Sequence, residues 1–218
     1  MSPFVVAIDG PAASGKGTLA RRLAERFGLA HLDTGRLYRA AALGVLEAGG
    51  DPADPLAAAA AARRVDPAIL GDPRLADERV ARAASVVAAI PAVRAALLAM
   101  QREFAAHPPD GARGAVLDGR DIGTAVCPDA SVKLYVTASP EVRAERRLKE
   151  LRGRGAAAIY GDVLQDMKER DARDTGRWTA PLAAAPDAIL IDTSGLDADR
   201  VFEQASDIIA RALAAQPR

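Results

Sequence analysis

The stretch Gly10-Pro11-Ala12-Ala13-Ser14-Gly15-Lys16-Gly17-Thr18 constrains this chain more than any other. It fits the pattern G-x-x-x-x-G-K, and its surroundings give the pattern physical meaning. A short apolar run, Phe4 to Ile8, precedes it, and Leu19, Leu23 and Phe27 recur behind it at helical spacing. Strand, glycine loop and helix together make a cradle whose backbone N–H groups point at phosphate oxygens. Glycine allows the backbone conformations this needs, and the helix N-terminus adds its partial positive charge. Lys16, placed on the exposed loop, reaches the β- and γ-phosphates as a point charge. Lysine is rare here, four against twenty-five arginines, so its presence at this position is not background composition.

The hydroxyl that usually follows the lysine is displaced by one, with Gly17 and then Thr18. The Gly-Lys-Gly-Thr form resembles nucleoside monophosphate kinases. It argues against a side-chain Mg²⁺ ligand from the loop and for a metal held by phosphates and water.

The remaining chain reads as one α/β domain. Its 218 residues suffice for a sizeable core, and a composition 50% hydrophobic and 27% charged is that of a globular protein. Acidic and basic residues balance at 29 each, which argues against a nucleic-acid binder. Cys127 is the single cysteine, so no internal disulfide can form. With no signal peptide and no apolar run near ~20 residues, the expectation is a cytoplasmic protein off the membrane.

Five apolar segments are predicted as strands: 4–8, 29–33, 115–118, 132–136 and 188–192. They alternate with helices, and their continuous apolar character predicts a five-stranded parallel sheet covered by helices on both faces. Ligands then sit at the C-terminal edge of the strands. Residues 51–110 are mostly helical and read as an insertion, with breaks at Asp66-Pro67, Asp72-Pro73 and Ile90-Pro91. Asp118 ends a core strand, the position near Mg²⁺ in a fold of this type. Ser139-Pro140-Glu141 opens a helix bearing Arg143, Arg146 and Arg147. Arg170, Arg173 and Arg177 share one helical face if their helix runs that far. Such a comb, bounded by Gly153, Gly155, Gly161 and Gly176, could close over phosphates, where spread negative charge needs fixed cations and excluded water.

These motifs together resemble the bacterial cytidylate kinase family along nearly the whole chain. The residues that carry the resemblance are Ile8 through Thr18, Leu32-Asp33-Thr34-Gly35 with Tyr38-Arg39, Ala84-Ser85 with Val93-Arg94, and Asp118-Gly119-Arg120-Asp121-Ile122-Gly123-Thr124. To these are added Lys168-Glu169-Arg170-Asp171, Arg177 and Ala180-Pro181-Leu182. The resemblance implies transfer of the γ-phosphoryl of MgATP to CMP or dCMP by a monomer. It implies that Gly10 to Thr18 hold ATP, that Thr34, Ser85, Arg94 and Asp121 surround the cytidine, and that Arg39, Arg120 and Arg177 hold the acceptor phosphate. Arg170 and Asp174 would lie near the ribose, Arg146 would be a lid arginine, and Asp118 would hold Mg²⁺ through water. The implied layout is a core (about 1–35, 111–150, 178–218), an acceptor subdomain (about 36–110) and a lid (about 151–177). Between Val65 and Asp77 the chain departs from the family: the stretch is short and proline-broken, and the small antiparallel sheet common there is expected to be trimmed.

Three other readings compete: another small P-loop kinase acting on UMP, AMP or a non-nucleotide acceptor, a P-loop regulator that signals by shape, and a nucleotide-binding structural subunit, which would not need two separate arginine-rich anion sites. A guanine-specific switch needs Asn-Lys-x-Asp, and this chain contains no asparagine.

Overall fold

The structure is a computed structural model that describes residues 3–215. The chain divides into two compact units, one of residues up to His31 together with Ala105 onward, the other of Leu32–Phe104.

The sheet is built from β1 (Phe4–Asp9), β2 (Ala30–Asp33), β3 (Gly114–Gly119), β4 (Val132–Thr137) and β5 (Ile189–Asp192). The strand order is β2-β3-β1-β4-β5, so β1 is central. It pairs in parallel with β3 and with β4, and β4 pairs in parallel with β5. The five expected strands are present. At β5 Ile189 and Leu190 are exposed and only Ile191 is buried. β5 is the edge strand, so one side of it lacks the neighbours that bury β1.

Helix α1 (Lys16–Phe27) and helix α8 (Ala198–Ala214) cover one face of the sheet. Leu19 and Leu23 of α1, Val201 and Ile209 of α8, and Val6, Ile8, Leu134 and Ile191 of the strands form a single buried cluster. Asp197 caps α8 by accepting from the amides of Asp199 and Arg200. A second, smaller cluster joins α6 (Pro140–Gly153) to α7 (Tyr160–Thr175) through Ala144, Val163 and Met167, with Ala13 of the glycine loop packed against it. Ser139 caps α6 through its hydroxyl, as its position before Pro140 predicts.

The smaller unit is helical: α2 (Thr34–Glu47), α3 (Pro55–Arg63), α4 (Glu78–Val87) and the body of α5 (Pro91–Ala106). Asp54 and Asp77 cap α3 and α4 with their side chains, and Pro91 opens α5 after Ile90. Between α3 and α4 the stretch 67–76 forms two 3₁₀ turns, each opened by an Asp-Pro pair, and no strand. Arg36 donates to the Asp72 carbonyl at 3.1 Å and Arg39 to the Leu75 carbonyl at 2.8 Å, so two guanidinium groups of α2 hold this stretch.

Two glycines show how tightly the strands are set. A side chain at Gly114 would place its Cβ 2.1 Å from the Phe4 carbonyl oxygen, inside the β1–β3 ladder. At Gly28 there is open space and the strain is only that of the left-handed backbone, φ 62°. Gly114→Ala is therefore expected to cost about 3 kcal/mol or more, and Gly28→Ala about 1–2 kcal/mol. Urea unfolding of both variants checks this ordering, and equal midpoints would contradict it.

Candidate functional site

The glycine loop leaves the end of β1 with Gly10 at φ 151°, Ala13 at 57° and Gly15 at 90°. Gly10 also has no room for a side chain, since a Cβ would meet the Val136 carbonyl oxygen at 2.0 Å. A non-glycine residue at positive φ is strained, and Ala13 is held there by packing against the α6–α7 cluster. Helix α1 starts at Lys16 with no side-chain cap and no acidic residue in its first turn. A missing cap costs about 1 kcal/mol. Burying Leu19 and Leu23 contributes about 1.5–3 kcal/mol each, so packing holds the helix and its N-terminal amides are left for an anion. Ser14 adds a hydroxyl that is fully buried and makes no hydrogen bond within the protein.

Lys16 is not on an exposed loop as expected from sequence. It is the first residue of α1, 8% exposed, and its Nζ donates to the Pro11 carbonyl at 3.1 Å. The amine is folded back along the cradle it serves.

Two arginines of α6 brace this loop from behind. Arg143, 4% exposed, donates to the carbonyls of Ala138 and Ala12 and pairs with the Asp171 carboxylate of α7 at 2.6 Å. Arg146 donates to the hydroxyl and carbonyl of Thr193 at 2.8 and 2.7 Å and reaches the Ser14 carbonyl at 3.5 Å. Arg146 was expected among the lid arginines; here it sits at the loop. Arg143 and Asp171 were not assigned a role from sequence, because an ion pair between two helices has no local signature.

Asp118, at the end of β3, is buried and bonded through Oδ1 to His31 Nε2 at 2.8 Å, while Oδ2 lies 3.7 Å from where a Cβ on Gly17 would be. His31 was passed over in the sequence as one residue of a weak strand. Only the pairing of strands reveals that it faces an acid 87 positions away.

Beyond β3 the chain runs Gly119-Arg120-Asp121 into a π-type turn, Ile122–Val126. Arg120 Nε donates to Asp174 Oδ2 at 2.9 Å, and Arg177 Nη2 donates to Asp174 Oδ1. Asp174 is 1% exposed. Burial opposes its charge, but the guanidinium groups of Arg120, Arg177 and Arg170 outweigh that and hold its carboxyl below the usual carboxylate range. Two of the sequence-predicted arginines, Arg120 and Arg177, thus bond one buried carboxylate, and the charge of Arg170 is felt there. The expected comb differs in one respect: α7 ends at Thr175, so Arg177 lies past the helix and reaches Asp174 from the following turn. Trp178, next to it, is 99% exposed.

In the smaller unit, Thr34 opens α2 and Ser85 lies on α4, both buried. Arg94, 7% exposed, lies over the Tyr38 ring at 5.4 Å and donates to the Ala88 carbonyl. Arg39 is partly buried beside Leu75. Among the described residues no group of three or more His, Cys, Asp or Glu side chains forms a metal cage, and no single helix is long and apolar enough to cross a membrane.

Comparison with known proteins places the chain as a whole. The family model described as cytidylate kinase matches residues 6–211. The cytidylate kinase of Rhodospirillum rubrum is 62% identical over 207 residues, covering 95% of this chain and 97% of that protein. That of Paramagnetospirillum magneticum is 61% identical over 205 residues, covering 94% and 97%. Among solved structures, a sugar kinase from Janibacter aligns with a TM-score of 0.51 at 14% identity, covering 99% of each chain, which speaks to fold alone. An uncharacterized protein from Eubacterium ventriosum aligns with a TM-score of 0.53 at 14% identity, covering 98% of this chain and 99% of that one. With a phosphate cradle at the end of the central strand, arginines gathered on Asp174 and this identity over nearly the full length, the chain belongs to the cytidylate kinase family.

Proposed function

We propose that this protein transfers the γ-phosphoryl group of MgATP to CMP or dCMP, giving CDP or dCDP and ADP. The observation that carries the proposal is the uncapped, strained loop Gly10–Thr18 with Lys16 at the helix start. Both sit in a chain more than 60% identical to proteins named cytidylate kinase. Mg²⁺ arrives with ATP as part of the substrate. Asp118, whose carboxylate is fixed beside Gly17 by His31, would hold it through water. The enzyme is a cytoplasmic monomer in this reading.

The chemistry asks little of the protein beyond placement. An oxygen of the acceptor phosphate attacks the γ-phosphorus in line, the bond to the β–γ bridging oxygen breaks, and ADP leaves with that electron pair. The attacking oxygen is already an anion, so no protein base is required. Gly10, Pro11, Ala12, Ala13, Ser14, Gly15, Lys16, Gly17 and Thr18 bind ATP. Lys16 neutralises charge building on the transferred group. Arg39, Arg120 and Arg177 hold the acceptor phosphate, Arg170 and Asp174 approach the ribose, and Arg146 steadies the donor loop. Thr34, Ser85, Arg94 and Asp121 surround the cytosine and its sugar. A carboxylate at Asp121 accepts from the C4 amino group of cytosine; against uracil it would face a carbonyl with lone pairs opposed.

Removing the Lys16 amine as Lys16→Met should lower turnover on the order of 10²-fold or more. The lost bond to Pro11 should cost only about 1 kcal/mol of stability. Steady-state turnover with a thermal melt checks both, and near-normal turnover in a folded variant would sink the role of the loop.

Base choice is read by kcat/KM for CMP and UMP. The mismatch at Asp121 is worth roughly 1–3 kcal/mol, so CMP should be favoured at least about tenfold. Asp121→Asn, which offers a donor as well as an acceptor, should lower CMP use and narrow the gap. An unchanged ratio would place base selection elsewhere.

A further inference from the structure

The base-reading loop is held from two sides. Asp121 stands at φ −147° and ψ 26°, and behind it Val126 and Cys127 donate their amides back to the carbonyls of Asp121 and Ile122. The amides of Ile122 and Gly123 turn the other way. Each donates to one oxygen of Asp9, at 2.7 Å. Asp9 is 4% exposed and is the last residue of the central strand, directly before Gly10. Gly123 fits this contact because it has no side chain: a Cβ there would lie 3.2 Å from Lys133 Cδ and 3.4 Å from Asp9 Oδ2.

We propose that Asp9 is the positioning residue for cytosine selection: its carboxylate clamps the Ile122 and Gly123 amides and so fixes Asp121 at the angle that reads the base. The inference deepens the proposed function and rests on Asp121 being the base reader. It also ties that reader to the ATP loop, since Asp9 and Gly10 are consecutive.

Only an ionised carboxylate makes both bonds. Asparagine has one acceptor oxygen and would set its NH₂ against the second amide. The ionised form is held against resistance. Burial is the largest influence and raises the Asp9 carboxyl from 3.8 to about 6, with the negative charge of Asp121 adding to the rise. The Gly123 and Ile122 amides and the Lys16 charge act in the opposite direction. The other groups near it are Tyr135 of β4, whose phenol feels Asp9 and Arg120, and the Lys133 methylenes against Gly123. On the β3 side its register partner is Gly119, which carries no side chain. A carboxyl raised in the folded state contributes stability that is complete below about 3.8 and lost as pH rises through about 6. At neutral pH the charge on Asp9 therefore opposes folding, and what the ionised form supplies is the two-amide clamp.

The test is kcat/KM for CMP and for UMP from about pH 5 to about pH 8, in the wild type, Asp9→Asn and Asp121→Asn. Both acceptors carry the same phosphate, whose second ionisation near ~6 cancels in the ratio. The wild-type CMP-to-UMP ratio should fall below about pH 6, as Asp9 takes up a proton and releases one amide. Asp9→Asn should lower the ratio at neutral pH roughly tenfold, remove its pH dependence and leave the KM for ATP within about twofold. If Asp121→Asn lowers the ratio but Asp9→Asn does not, the positioning role is overturned and base reading by Asp121 stands. If Asp121→Asn itself leaves the ratio unchanged, base reading fails and the inference falls with it. Should Asp9→Asn not fold, the wild-type profile decides alone, and a ratio flat across that range overturns the proposal.

Discussion

The larger unit depends on where the central strand ends. β1 is flanked in register by β3 and β4, so the chain that leaves it and the chain that leaves β3 emerge side by side at the C-terminal edge of the sheet. One emerging segment is the phosphate cradle, the other the Gly119-Arg120-Asp121 turn. The Asp9 carboxylate, last in β1, bonds the second segment through two amides while its own backbone begins the first. A parallel sheet supplies this adjacency without cost, because every strand ends at the same edge. The two loops are then held relative to each other by one buried side chain.

A second constraint is charge. The unit concentrates cations at this edge, and two acids, Asp174 buried and Asp171 half-buried, hold them in place. Asp174 collects Arg120 and Arg177, and Asp171 collects Arg143. Buried ion pairs are poor sources of net stability, since desolvation offsets most of the Coulomb gain. What they provide is a fixed geometry for guanidinium groups that would otherwise lose rotamer entropy on binding a phosphate. Transition-state stabilisation in phosphoryl transfer depends on this preorganisation more than on any single strong contact. Arg143 and Arg146 fix the glycine loop in the same way, donating to the carbonyls of Ala12 and Ser14.

Much of this was legible in the sequence, for local reasons. The glycine loop, the five strands and the cap at Ser139 depend on short-range chemistry and appear where the residues predict, while Asp66-Pro67 and Asp72-Pro73, read as breaks, each also open a 3₁₀ turn. The missing sheet near 67–76 was legible in the same way, from prolines that cannot sit in a ladder. What escaped were pairings set by strand register and helix docking: His31 with Asp118, Asp9 with the Ile122 and Gly123 amides, Arg143 with Asp171. Each joins residues far apart in the chain, and nothing in the neighbouring sequence marks either partner. Lys16 was misplaced as exposed because a loop motif says nothing of what packs over it. Arg177 would share the helical comb only if the helix ran that far, and α7 ends at Thr175, before Gly176.

The central claim is that the chain phosphorylates cytidine monophosphates at the expense of ATP. Acceptor-dependent ADP release measures it most directly, with CMP, dCMP, UMP and AMP compared side by side at saturating MgATP. The account predicts rapid release with CMP and dCMP, release at least about tenfold less efficient with UMP, and none above background with AMP. Release that is independent of acceptor, or that favours UMP or AMP over CMP, would contradict it.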